Sequence, residues 1–170
     1  NPAIDALLAT LAAQPTLLLT TPGHATQQVA AGLGPEGRLR ALRSLALPAL
    51  TQTDYDRLLW ACDLNFVRGE DSFVRAMWAG APFVWQIYPQ HDRAHAAKLD
   101  ALLDLMLADA DPGLAIALRR LWHTWNGLRP GPAAQPPAAA WIELALRWRQ
   151  RLLVQPDMGT QLLGFVAERR

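Results

Sequence analysis

The run Arg68-Gly69-Glu70-Asp71-Ser72 sets a cation, a glycine, two carboxylates and a hydroxyl within five residues. A glycine-bearing turn that opens a helix offers unpaired backbone N–H groups and the positive end of a helix dipole. An arginine beside such a turn can grip two phosphate oxygens through its planar guanidinium. The pattern therefore suits a phosphate or diphosphate. It lacks the lysine of a P-loop and the three glycines of a dinucleotide fingerprint. Its flanks supply the framework: Leu64 to Val67 reads as a short strand, Phe73 to Ala79 as a helix ended by Gly80 and Pro82, and Phe83 to Tyr88 as a strand stopped at Pro89. Asn65 and Arg68 bracket Phe66 and Val67 and are expected near the strand's carboxyl end, where open α/β sheets bind ligands.

Two readings of the turn stay open on residue chemistry alone. In one, Asp71 or Ser72 caps the helix and Glu70 is a solvated loop residue. In the other, Ser72 and the turn amides hold a phosphate while Glu70 bonds a sugar hydroxyl or aids catalysis. Tyr55, after the loop LPALTQTD, could stack on a base, and Gln52 could read its edge. His91 and His95 are spaced for zinc on one helix face, but no cysteine cluster or third ligand accompanies them, so a surface pair at a helix start is expected. His24, after the first strand, could face a ligand, though an exposed loop residue is the expectation; His123 reads as packing between Trp122 and Trp125. Trp141 and Trp148, seven apart on one helix face, are expected in the core. The single cysteine, Cys62, is read as a small buried hydrophobe.

The elements that hold these residues follow from the punctuation of the chain. Residues 3–13 read as a helix, Thr16 to Thr20 as a buried strand, and His24 to Leu33 as a helix closed by Gly32, Gly34, Pro35 and Gly37. Leu39 to Leu47 contains a second strand. Thr53 is the expected N-cap of a helix from Asp54 to Ala61, with Asp56 at N3. Strands separated by helices imply right-handed crossovers and a mainly parallel sheet. Beyond Asp92 the chain reads as helical, with Asp111-Pro112 opening one helix and Asn126-Gly127 ending it. The segment 128–137, LRPGPAAQPP, is a Pro-rich linker, followed by a helix over 138–154 and a last one after Pro156-Asp157. The expected fold class is thus α/β: a Rossmann-like sheet over residues 1–127 and a helical tail over 138–170.

Composition narrows the function classes. Of 170 residues, 51% are apolar and 18% charged, which excludes a disordered chain. Sixteen basic residues against fifteen acidic ones, for a formal charge of +1, give no electrostatic case for nucleic acid or a membrane surface. A lone cysteine rules out an internal disulfide and fits a reducing cytoplasm. No apolar stretch reaches the roughly 18 residues that span a bilayer. The chain opens at Asn1-Pro2, without Met and already in a helical pattern, as a piece of a longer protein would.

One long run, DYDRLLWACDLNFVRGEDSFVRAMWAGAPFVWQIYPQ, resembles the C-terminal half of the protein-arginine rhamnosyltransferases that modify bacterial elongation factor P. The likeness is strong over about residues 45–100 and extends to the flanking helices. It implies one half of a two-domain GT-B glycosyltransferase, with dTDP-β-L-rhamnose as donor and no metal or other cofactor. Arg68, Gly69, Asp71 and Ser72 would hold the pyrophosphate, and Glu70 would be a carboxylate needed for activity. Gln52 and Tyr55 would sit at the thymine, where Ala49 and Leu50 give a slighter wall than the family's pattern leads one to expect. The reaction implied is inverting transfer of rhamnose to an arginine of elongation factor P, with the catalytic base in a separate N-terminal domain. A GT-B enzyme of another specificity, such as an epimerase, and a non-catalytic nucleotide-binding or protein-interaction module are the alternatives.

Overall fold

The structure is a computed structural model that describes residues 3–90, 94–131 and 135–169. Helix α1 (Ile4–Leu11) buries Leu7, Leu8 and Leu11 and leads into strand β1 (Thr16–Thr20). Helix α2 (His24–Leu33) follows, then a hairpin of β2 (Arg38–Leu39) and β3 (Leu42–Ala46). β3 is the strand expected within Leu39 to Leu47; β2 is an addition. Its turn carries no glycine or proline, and Arg40 makes it by adopting φ 52°, in the left-handed region that few non-glycine residues enter.

Helix α3 (Gln52–Ala61) starts two residues before the position that its residue pattern suggests. Thr51, not Thr53, is the cap: its Oγ1 accepts the Asp54 N–H at 3.1 Å and its hydroxyl donates to Asp54 Oδ2 at 2.7 Å. The reciprocal partner is therefore Asp54, which leaves Asp56 free for a tertiary contact. β4 (Asn65–Arg68), α4 (Glu70–Ala79) and β5 (Phe83–Gln86) form the strand–helix–strand unit. Gly80 closes α4 in the left-handed conformation, φ 71°. The rest is helical: α5 (Ala94–Met106), α6 (Pro112–Trp125), α7 (Ala138–Leu153) and α8 (Met158–Ala167). Asp111 caps α6 by accepting the Leu114 N–H at 3.1 Å, with Pro112 at the first helical position. No helix among the described residues is long and apolar enough to cross a membrane.

Parallel pairing is present, as expected of an α/β chain, but the strands form two ladders instead of one continuous sheet. β1 pairs with β3 in parallel, Thr16 opposite Leu42 through Thr20 opposite Ala46, and β2 joins β3 antiparallel. β4 pairs with β5 in parallel, Asn65 opposite Phe83 through Arg68 opposite Gln86. An apolar cleft separates β1 from β4. The core lies against β5 and α6: Val84, Leu118 and Trp122 are fully buried, and Phe83 meets Trp122 edge-on with centroids 5.4 Å apart. Phe73 of α4 stacks on Trp85 of β5 at 4.2 Å, which fixes α4 over the sheet. Asn126 pins the end of β5 to α6, accepting the Ile87 N–H at 2.9 Å and donating to the Trp85 and Trp122 carbonyls at 2.8 and 2.9 Å.

Candidate functional site

The corner expected to face a phosphate is made where β4 ends and α4 begins. Gly69 is the N-cap, so Glu70, Asp71 and Ser72 make up the first helical turn and neither Asp71 nor Ser72 is the capping residue. No side chain caps this end. The first-turn N–H groups, which no helical carbonyl can satisfy, are thus available to an anion. The φ of +76° at position 69 favours glycine, and a Cβ there would lie 2.9 Å from the hydroxyl oxygen of the exposed Tyr88, which would have to shift. Trp85 fixes the same peptide by donating Nε1–H to the Gly69 carbonyl at 2.8 Å. Arg68 stands exposed at the carboxyl end of β4, its guanidinium carbon 5.1 Å from the centre of the Tyr88 ring. Asn65 is at the opposite, amino end of the strand, contrary to expectation. It is buried and donates its Nδ2–H to the Leu59 carbonyl at 3.0 Å, which ties α3 to β4.

Beside this corner lies a cleft of about 240 Å³, lined by Thr21, Leu50, Thr51, Gln52, Tyr55, Asp71, Ser72 and Arg75. It brings together Gln52, Tyr55, Asp71 and Ser72, which residue chemistry and resemblance single out, with both α3 and α4 contributing. Arg68 lines an adjoining cleft of about 340 Å³, and Tyr55 borders both. Glu70 is exposed at the turn, on neither wall.

Arg75 is the residue that sequence reasoning passed over. Its Nε donates to Asp71 Oδ2 at 2.9 Å, and its Nη1 to both carboxylate oxygens of Asp56 at 2.9 and 3.0 Å. Asp56 and then Asp71 hold the guanidinium charged and raise its pKa above the ordinary value. The triad joins the helix carrying Gln52 and Tyr55 to the first turn of α4. The Asp71–Arg75 half follows from i,i+4 helical spacing; the Asp56 half, nineteen residues away in sequence, carries no local signal.

Most of the remaining candidates resolve as structural. His95 is buried rather than superficial, and its Nδ1 accepts the Gln90 N–H at 3.1 Å, while His91 lies outside the described residues. His24 is exposed, but it opens α2 instead of lying in a loop, and it lines the cleft of about 340 Å³. His123 is half-buried and shares a hydrogen bond between its Nε2 and Asp100 Oδ1 at 2.7 Å, which ties α6 to α5 in addition to any packing. Cys62 is half-buried, not buried; partial burial, and secondarily Asp63, push its thiol pKa up. Trp122, Trp125, Trp141 and Trp148 are core residues.

Comparison with known proteins gives a consistent picture. A family described as elongation factor P (EF-P) rhamnosyltransferase EarP matches residues 1–167. A protein-arginine rhamnosyltransferase of Pseudomonas aeruginosa is 43% identical across 99% of this chain and 48% of its own length. One of Pseudomonas putida is 41% identical across 97% of this chain and 47% of its own. A solved structure described as the structural basis for EarP-mediated arginine glycosylation of translation elongation factor EF-P superposes with a TM-score of 0.81 at 38% identity, over 99% of this chain and 57% of the other. The chain spans about half the length of the curated relatives it matches.

Proposed function

We propose a function from one premise: this chain belongs to the family of elongation factor P rhamnosyltransferases, EarP. It is the donor-binding half of a cytoplasmic glycosyltransferase that moves L-rhamnose from dTDP-β-L-rhamnose to an arginine of EF-P. The observation that carries this reading is the uncapped N-terminus of α4 beside a cleft lined by Gln52 and Tyr55. The pyrophosphate would lie against the first-turn amides, with Arg68 reaching it from the end of β4 and Ser72 adding a hydroxyl. Because the Asp71 carboxylate already engages Arg75, Asp71 contributes its N–H and its hold on the turn. The thymine would stack on Tyr55 and meet Gln52. Residues 1–127 form the donor unit, 128–137 the linker, and 138–170 pack on that unit or return to the other half of the enzyme.

The chemistry is a single displacement. An arginine nitrogen attacks the anomeric carbon of rhamnose, the bond from that carbon to the β-phosphate oxygen breaks, and the configuration inverts. Negative charge grows on the departing diphosphate, where amides and Arg68 stabilise it. The attacking guanidinium, with a pKa above ~12, must lose a proton to a base, and that base belongs to the part of the enzyme outside these residues. Glu70, exposed beside the phosphate turn, would orient the ribose or the sugar. Incubating a polypeptide of the relatives' length with dTDP-β-L-rhamnose and EF-P tests the reading by intact-protein mass spectrometry. One deoxyhexose on a single arginine is expected, α-linked by NMR; unmodified EF-P contradicts the proposal.

A further inference from the structure

Trp85 is buried in β5, yet its one side-chain polar group serves the turn that opens α4. The indole Nε1–H donates to the Gly69 carbonyl at 2.8 Å. The next residue of β5 holds the other side of the same glycine: the Gly69 N–H reaches the Gln86 carbonyl at 3.4 Å. Ring packing fixes the indole in turn. Phe73 of α4 stacks on Trp85 with centroids 4.2 Å and planes 17° apart, and it also meets Phe83, two residues back on the same face of β5. Trp85 is thus tied to α4 twice, through a ring of the helix and through the carbonyl just ahead of it.

The carbonyl it holds belongs to the peptide between Gly69 and Glu70. A trans peptide is planar, with its N–H on the side opposite its C=O, and no peptide among the described residues is cis. The Glu70 N–H therefore points away from the indole. It is also one of the first-turn donors that no helical carbonyl can satisfy. Glycine is the residue whose backbone is least restrained, so the plane of this peptide gains most from a tie outside the helix. That tie does more than orient. Hydrogen bonds in a chain polarise one another, and a bond accepted at the oxygen makes the N–H of the same amide a stronger donor.

We propose that Trp85 is a positioning residue for the donor's diphosphate, acting through the Gly69–Glu70 peptide to aim and strengthen the Glu70 N–H. The inference rests on the donor reading above, in which a diphosphate lies on the first turn of α4. The relay runs from indole N–H to Gly69 carbonyl and from Glu70 N–H to a phosphate oxygen, and no proton is transferred along it. Its effect grows as negative charge gathers on the departing diphosphate. The two parts of the side chain then have separable roles: the ring packs α4 on β5, and the N–H serves the ligand.

Trp85→Phe in the full-length protein keeps an aromatic ring against Phe73 and removes the N–H. Calorimetry should show dTDP affinity falling about 3- to 10-fold, the value of one hydrogen bond, with thymidine affinity unchanged. The wild-type protein supplies a second readout that needs no variant. Saturating dTDP should move the Trp85 indole proton downfield in proton–nitrogen correlation spectra, and thymidine should leave it in place. Equal losses for both ligands, unchanged affinity for both, or an indole resonance indifferent to dTDP overturns the role given to Trp85 and leaves the donor reading standing. Wild-type protein that binds dTDP no more tightly than thymidine overturns both.

Discussion

Arg68 carries its charge at the end of β4 without an ion-pair partner among the described residues, stacked over Tyr88. Its replacement therefore removes the proposed phosphate ligand without exposing a buried counter-charge. Arg68→Ala should weaken dTDP binding about 10- to 100-fold, the value of a hydrogen bond to a charged group, with an unchanged melting temperature. Calorimetric titration and a thermal scan together check this, and wild-type affinity would remove Arg68 from the site. Gly69 is a contrasting case. Gly69→Ala forces an L-residue to φ +76° against the Tyr88 hydroxyl, so it should lower both stability, by about 1–2 kcal/mol, and affinity. Glu70 is exposed and outside both clefts, which suits a part in turnover more than in nucleotide affinity. In the full-length enzyme, Glu70→Gln should cut kcat far more than it raises the dissociation constant for dTDP. Equal losses would leave Glu70 a binding residue only.

Each element was legible to the extent that its signals are local. β4, α4 and β5 follow from apolar runs broken by Gly69, Gly80 and Pro82, and α6 from Asp111-Pro112. The start of α4 is misread by residue type because a glycine caps it, while Asp71 and Ser72, good capping residues in general, lie one step inside the helix. The β2–β3 turn is invisible because Arg40 takes a left-handed conformation without glycine's usual licence. For the site, Gln52, Tyr55, Asp71 and Ser72 were within reach of chemistry and resemblance, but the Asp56–Arg75 link between two helices was not. That link yields a prediction: Asp56→Asn and Arg75→Met should be non-additive in a double-mutant cycle. Each should also lower dTDP affinity more than thymidine affinity, since the base-side and phosphate-side helices would lose their register. Asn126, which makes three hydrogen bonds to β5 and α6, is a structural joint by the same reasoning. Asn126→Ala should cost about 2–3 kcal/mol in chemical denaturation.

The molecule as a whole is uneven in how firmly its parts are held. The core around Trp122 is fully buried, whereas α8 buries none of its residues and exposes Met158, Leu162 and Leu163. The cap of that helix, Asp157, has its pKa lowered, chiefly by the Thr160 hydroxyl and then by the Thr160 N–H. A carboxylate with a depressed folded pKa stabilises above its unfolded pKa, and the contribution is lost as pH falls through the folded value. The α8 amides should therefore lose NMR helical shifts in acid, below the usual aspartate range. Unchanged shifts there would argue against the cap. The proposed site lies at the carboxyl ends of two parallel ladders, and the central claim is that a diphosphate rests on the first turn of α4. Calorimetry with thymidine, dTMP and dTDP on the full-length protein tests that claim most directly. Affinity should climb steeply with each phosphate and fall back in Arg68→Ala; dTDP binding no tighter than thymidine would contradict it.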